Sequence, residues 1–217
     1  MDDIVKQALA RWPNVPHCTG WLLLDARGHW RLRDEADQAQ GAPGSQIRHE
    51  ALIGFINRNY ARDAKGQWFF QNGPQRVYVE LEYTPWVVRL ASAKDGALTL
   101  ADQAGQPFEP TAVYVDEHGS VLFEAVPEAD TESTTESTTE SVDTSAATHA
   151  RVALLHDHDL DCFTEHATLA EDGASGTFHW RAETALPLRP IARADVPAHF
   201  AFVRSPEQAE KAAKAAG

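Results

Sequence analysis

The sequence predicts an α+β protein: two N-terminal helices on a mostly antiparallel sheet, followed by a β-rich C-terminal region. Three observations predict it. Apolar residues recur at helical spacing in only two early segments. From Trp68 onward most apolar residues sit in short alternating runs. Turn residues such as Asn72-Gly73 and Asp116–Gly119 punctuate those runs at short intervals. The 217 residues are 43% apolar and 24% charged, with six Trp, nine Phe and four Tyr. That is enough bulk for a core and excludes wholesale disorder.

The elements follow in order. Ile4, Val5, Ala8, Leu9 and Trp12 share a helical face, with Asp2 or Asp3 as cap and Pro13 as terminator. Residues 21–24, the turn Asp25–Gly28 and the return Trp30 and Leu32 read as a hairpin. Ala36–Ser45 is rich in Gly, Ala and Gln and reads as a loop. A second helix is expected over about 46–60, capped by Ser45, with Leu52, Phe55, Ile56, Asn59 and Tyr60 on one side. Trp68–Phe70 and Arg76–Leu81 are strands joined at Asn72-Gly73. Pro74 implies a turn wider than two residues. Val77, Val79 and Leu81 alternate with Tyr78, Glu80 and Glu82, which implies one buried and one wet face. Trp86–Leu90 is a further strand that starts after Pro85 or lies at an edge, and Leu98–Leu100 extends this sheet or starts another. Residues 111–125 give a second hairpin whose Asp-x-x-Gly turn echoes that of residues 21–32. Strands are expected at 152–155, 162–166, 177–182 and 185–191, then one helical turn after Asp195 and a short strand at 199–203. Ser205–Gln208 is a capping box opening an exposed helical tail, 206–217. The expected modules are thus 1–100 and 101–205, with a flexible acidic insert at 127–148 built on TESTTESTTE.

The formal net charge is −13. Residues 1–100 are near neutral, with 12 Lys/Arg against 11 Asp/Glu, whereas 127–148 hold six acids and no Lys/Arg. An acidic chain repels phosphate backbones and anionic membranes, so neither nucleic acid nor membrane is an expected partner. Aromatics interleaved with arginines in residues 1–90 belong to strand cores rather than to base-stacking platforms. Two separated cysteines, Cys18 and Cys162, exclude a disulfide framework. An acidic, amphipathic N-terminus is unlike a leader peptide, and a cytoplasmic location is expected.

Two segments carry candidate chemistry. Gln71-Asn72-Gly73-Pro74-Gln75-Arg76 lies between aromatic strands. Gln71, Asn72, Gln75 and Arg76 offer amide and guanidinium groups to a carboxylate or a peptide, beside an apolar wall that includes Trp68 and Trp86. The other is the His/Asp-rich run 156–166. Here His156, His158 and His166 carry donors suited to zinc, nickel or copper, although Asp-rich turns of this kind also form without any ion. No P-loop, G-x-S-x-G elbow or G-x-G-x-x-G is present.

The runs MDDIVKQALARWPNVP, GWLLLDARGHWRLRDE, WFFQNGPQRVYVELEYTPWVVRL and LPLRPIARADVPAHFAFVRSP resemble an uncharacterised proteobacterial domain family of unknown function. The resemblance spans the chain apart from TESTTESTTE. It implies a bacterial cytoplasmic protein and transfers no catalytic residue. The expected function is a non-catalytic binding or adaptor role through the 71–76 hairpin and its aromatic groove. The occupant would be an unidentified protein or small molecule, the protein a monomer or weak homodimer, and no cofactor is expected. The alternatives are a metal-binding protein centred on 156–166 and a small hydrolase or transferase without a recognisable motif.

Overall fold

Residues that alternate along a strand point to opposite faces, and here both faces of the longer sheet are apolar. Ala112, Tyr114, Leu122, Val152 and Leu154 join one buried cluster; Val113, Val115, Val121, Phe123, Ala153 and Leu155 join another. A sheet buried on both sides needs a layer on each, and the chain supplies them. The computed structural model describes residues 1–94, 96–126, 150–172 and 175–215. The insert expected to be flexible lies outside these residues.

A first helix, α1 (Asp3–Arg11), is followed directly by strands β1 (Cys18–Leu24) and β2 (Trp30–Leu32). Then come α2 (Glu35–Gln40), β3 (Ser45–Gln46), α3 (Glu50–Arg58), β4 (Tyr60–Arg62), β5 (Trp68–Asn72) and β6 (Gln75–Leu81). Their strands form a six-stranded sheet ordered β3-β2-β1-β6-β5-β4, antiparallel except for the parallel pair β1–β6. The chain continues with β7 (Trp86–Ser92), β8 (Leu98–Asp102), β9 (Ala112–Val115), β10 (Val121–Ala125) and β11 (Arg151–Leu155). A 3₁₀ turn (Asp157–Asp159) leads into α4 (Leu160–Glu165), followed by β12 (Ala167–Leu169), β13 (Gly176–Arg181), β14 (Thr184–Pro190), α5 (Val196–His199) and α6 (Pro206–Ala215). The second sheet has eight strands, ordered β12-β13-β14-β9-β10-β11-β7-β8. The fold is thus a strand-rich α+β arrangement of two sheets with six α-helices among the described residues. No helix among them is long and apolar enough to cross a membrane.

Leu22, Leu24, Phe70, Val79 and Leu81 of the first sheet pack on Val87, Tyr114, Leu122, Val152 and Leu154 of the second. The second sheet also curls. α4 is about 9 Å long, yet it touches both β7 and β12, which five strands separate. In a flat sheet they would lie roughly 29 Å apart. Phe163 of α4 fills the hollow, stacked on Phe178 with ring centroids 5.0 Å apart. Asp159 fixes the helix by accepting from Arg89 Nε at 2.6 Å and from the Leu90 amide at 3.0 Å.

Several expectations are corrected. Residues 162–166 are helical rather than a strand, because Asp159 anchors a helix start and Phe163 points into the curl. The segment 36–45 holds a helix, α2, opened by a reciprocal capping box between Asp34 and Asp37. The third helix starts at Glu50 with His49 as cap, not Ser45. The 72–75 turn has only two central residues: Asn72 pairs with Gln75, and Gly73 adopts φ +56°. That positive φ followed by the fixed φ of Pro74 suits a primed hairpin turn. Of the two readings of Pro85, the strand start holds and the edge does not: β7 begins at Trp86 and lies between β11 and β8. Residues 199–203 form a helix end and turn rather than a strand. The second face of β6 is not wet: Glu80 is 6% exposed. It lies under α6, where its carboxylate accepts from the Glu207 amide at 3.0 Å. α6 is further held by Thr19 on Glu210, while its residues 211–215 are exposed.

Two outcomes follow from this packing. Gly66→Ala and Gly105→Ala each place a side chain at positive φ, +80° and +77°, at a cost of about 1–2 kcal/mol. At Gly66 the new Cβ would also sit 2.5 Å from the Ala201 carbonyl oxygen, whereas nothing lies within 4 Å at Gly105. Thermal unfolding followed by circular dichroism is expected to show a larger Tm loss for Gly66→Ala; equal losses would contradict this packing. The second outcome concerns acid. Burial alone would raise the Asp159 pKa, but Arg89 and the Leu90 amide hold it below the usual carboxylate value. A carboxylate with a depressed folded pKa stabilises the fold above its unfolded pKa and stops doing so as pH falls toward the folded one. Asp159→Asn should therefore flatten the stability loss of the wild type below about pH 4, measured by urea unfolding at stepped pH.

Candidate functional site

A concavity forms where two hairpin turns meet. Asp25–Gly28 joins β1 to β2, and Asp116–Gly119 joins β9 to β10. Both are built alike. Asp25 Oδ1 accepts from the amides of Arg27 at 3.0 Å and His29 at 2.8 Å. Asp116 Oδ1 accepts from those of His118 at 3.0 Å and Ser120 at 2.8 Å. Gly28 and Gly119 take the positive φ that closes each turn. The second carboxylate oxygens face inward. Asp25 Oδ2 accepts from Arg31 Nε at 2.7 Å. Asp116 Oδ2 accepts from Tyr83 Oη and Arg193 Nη1, both at 2.9 Å.

The start of the 3₁₀ turn supplies a third wall. Arg27 reaches from the first sheet to Asp157 of the second, donating to Oδ2 through Nη2 at 2.6 Å and Nε at 3.1 Å. Gly41 and Pro43, just after α2, supply a fourth, and Arg31 Nη1 donates to the Gly44 carbonyl at 3.0 Å. Leu23, Tyr83, Val121, Leu154 and Leu155 form the apolar lining of a cleft of about 720 Å³.

Burial pushes the carboxyl pKa of Asp116 up, but the Ser120 amide, the Tyr83 hydroxyl and the His118 amide outweigh it and hold the group below its ordinary value. Asp25 behaves likewise through Arg31 and its two turn amides. Arg27 holds Asp157 low. Tyr83 is pushed up by burial and by Asp116 beside it. These carboxylates therefore stay ionised at neutral pH and are committed to guanidinium groups, so they suit binding better than proton transfer. The arginines are less committed. Arg27 Nη1, Arg31 Nη2 and Arg193 Nη2 make no hydrogen bond to another described residue. Arg193 is also pinned flat, 3.8 Å over the Tyr83 ring.

The residues singled out in the sequence lie elsewhere. None of Gln71, Asn72, Gln75, Arg76, Trp68 or Trp86 lines this cleft. Gln71 is 0% exposed and donates to the Gly73 carbonyl of its own turn. Gln75 donates to the Pro16 carbonyl, and Arg76 covers the Phe69 ring. Trp68 and Trp86 pack edge to face with Tyr60 against them, and their indole nitrogens are buried without a hydrogen-bond partner. The structure brings His156 and His158 together, ring centroids 4.8 Å apart, but not His166. His166 closes α4, its Nδ1 2.9 Å from the Cys162 carbonyl oxygen. Burial lowers the His156 pKa. Sequence reading missed Arg31, Tyr83 and Arg193. The available signal was the repeated Asp-x-x-Gly turn, which marks the cleft's two rims.

Among solved structures, the chain is similar to a DUF1285 family protein from Silicibacter pomeroyi DSS-3. The identity is 13%, over 83% of this chain and 86% of that one, with a TM-score of 0.42. It is also similar to a DUF1285 family protein from Shewanella baltica OS155, at 10% identity over 67% of this chain and 91% of that one, with a TM-score of 0.39. No curated protein matches it. The family model DUF2944, described as "Protein of unknown function (DUF2946)", matches residues 1–207. The chain therefore belongs to that family of proteins of unknown function.

Proposed function

We propose that this protein is a non-catalytic binding module whose ligand is a small molecule joining a carboxylate to an apolar body. The observation that carries this reading is the convergence of three guanidinium groups with unspent N–H donors on one apolar-floored cleft. About 720 Å³ falls within the range of small-molecule sites. Guanidinium forks match carboxylate geometry, and Leu23, Leu154 and Leu155 offer surface to a hydrocarbon portion.

Charge narrows the class. Asp25, Glu82 and Asp157 line the same cleft as Arg27, Arg31 and Arg193, and Asp116 lies against Arg193, so the three arginines bring no net positive charge. A polyanion such as a nucleoside triphosphate or a nucleic acid would meet three carboxylates as well as three arginines and gain little. A single carboxylate can reach the open guanidinium edges with far less repulsion than a polyanion would meet. The same ion pairs support a binding role over hydrolysis: Ser120 Oγ, the hydroxyl of a serine in the lining, accepts from Arg193 and makes no hydrogen bond to His118 among the described residues.

Hexanoate and N-acetyl-leucine serve as probes, with hexylamine and inorganic phosphate as controls. Titration followed by amide chemical shifts is expected to give saturable changes at residues 25–31, 118–121 and 154–160 with the two carboxylates only. Arg31→Lys plus Arg193→Lys keeps the charge and removes the forks, and should weaken binding by about tenfold or more, on the order of 1.4 kcal/mol. No saturable change with either carboxylate, or changes centred on residues 68–86, would refute the proposal.

A further inference from the structure

We propose that His156, Asp157 and His158 form a transition-metal site at the lip of the cleft. β11 ends at Leu155 and the 3₁₀ turn begins at Asp157, so the three residues sit where extended chain bends into helix. On a straight strand Asp157 would point away from its two neighbours. The bend instead gathers all three, with their ligand atoms within 4.8 Å of one another. His156 Nδ1 lies 3.0 Å from Asp157 Oδ1, and His158 Nε2 lies 4.0 Å from that same oxygen. Four-coordinate zinc with donors at its usual bond lengths needs ligand atoms roughly 3.3 Å apart. The two separations bracket that value, all three donors lie within 4.8 Å of one another, and His158 is exposed enough to close the longer gaps.

Asp157 divides its carboxylate between two tasks. Oδ2 takes the Arg27 fork, while Oδ1 faces both imidazoles. A ligating carboxylate oriented through its other oxygen is the usual outer-shell support of a metal site, and here Arg27 is the positioning residue. His156 is buried and its ring is fixed against His158. An ion at Nδ1 would exchange the hydrogen bond from the His158 amide, now 3.1 Å away, for a metal bond. Two imidazoles and one carboxylate favour zinc, cobalt or nickel over magnesium or calcium. Three protein donors leave a coordination position for water or for a carboxylate in the cleft, because Asp157 also lines it. The assignment does not depend on the cleft ligand proposed above, and the two can fail separately.

The full chain, purified without an affinity tag and stripped with EDTA, is titrated with Co²⁺ alone while its visible d–d absorption is followed. One saturating equivalent is expected. His158→Ala and Asp157→Asn should each weaken binding at least about tenfold, and Arg27→Ala by about 10–100-fold through loss of orientation. His166→Ala should titrate like the wild type, since its ring is occupied at the end of α4. Far-ultraviolet circular dichroism checks that each variant is folded. Absence of a saturable band, or His158→Ala and Asp157→Asn binding as tightly as the wild type, would overturn the site. So would a loss in His166→Ala as large as that in His158→Ala.

Discussion

The fold depends on an aspartate that does two jobs at once. In four turns, Asp25–Gly28, Asp63–Gly66, Asp102–Gly105 and Asp116–Gly119, the carboxylate Oδ1 accepts the amides two and four residues on. The glycine three residues on takes positive φ in each. Oδ2 is then free to hold something distant: Arg31 for Asp25, Tyr78 for Asp63, Arg151 for Asp102, and Tyr83 with Arg193 for Asp116. Hydrogen bonds to a charged acceptor contribute about 1.5–3 kcal/mol each, so one side chain closes a hairpin and also fastens it to the rest of the molecule. Asp25, Asp102 and Asp116 are nearly buried. A carboxylate with only one of these duties would sit there with unpaired oxygen lone pairs, at a desolvation cost the fold could not offset.

Two of these turns become the rims of the cleft for the same reason. A turn whose carboxylate must find a cation draws an arginine to it, and the arginine arrives with more donors than one carboxylate can use. Asp25 thus brings Arg31, and Asp116 brings Arg193, from 77 residues away. The other two turns spend their outward oxygen differently. Asp63 holds a tyrosine, and Asp102 holds an arginine that lies against Trp86 and Phe108 and is itself largely buried. Only where the cation stays partly open, at the junction of the sheets, does the shared motif leave donors facing a hollow.

This pattern was partly legible in the sequence. The strands of both Asp-x-x-Gly hairpins at 25–28 and 116–119 were readable because alternation and turn chemistry are local. The same Asp-x-x-Gly pattern at 63–66 and 102–105 carries the same instruction, but neither is flanked by apolar strand runs on both sides. α2 was missed because it buries none of its residues, so its apolar pattern is silent; only the Asp34–Asp37 box announced it. α4 was read as a strand because Cys162 and Phe163 favour strands, while the contact that makes a helix of them, Asp159 to Arg89, spans 70 residues. The cleft was illegible for the same reason. Its walls come from residues near 25, 42, 83, 119, 157 and 193, and no spacing rule joins them. The 71–76 turn stands out through polar composition; Gln71 Nε2 donates to the Gly73 carbonyl of its own turn, while its buried Oε1 has no partner among the described residues. Composition alone does not distinguish a side chain that closes a loop from one that waits for a ligand.

The charge distribution bears on how such a cleft would work. The chain carries −13 overall, so its distant field slows an approaching anion rather than steering it. Within the cleft the situation reverses over a few ångströms. Asp25, Asp116 and Asp157 are already paired with arginines and Glu82 takes the Ala26 amide, the lining is partly apolar, and the open guanidinium edges act at contact distance in a medium of lower dielectric than water. Selection then rests on the fork geometry that Tyr83, Gly44 and Asp116 impose on Arg31 and Arg193, not on net attraction. Salt screens long-range fields within about 8–10 Å and leaves buried contacts little changed. An anion held by contact geometry in this acidic protein would therefore bind with little dependence on ionic strength. One drawn by surface charge would not bind it at all.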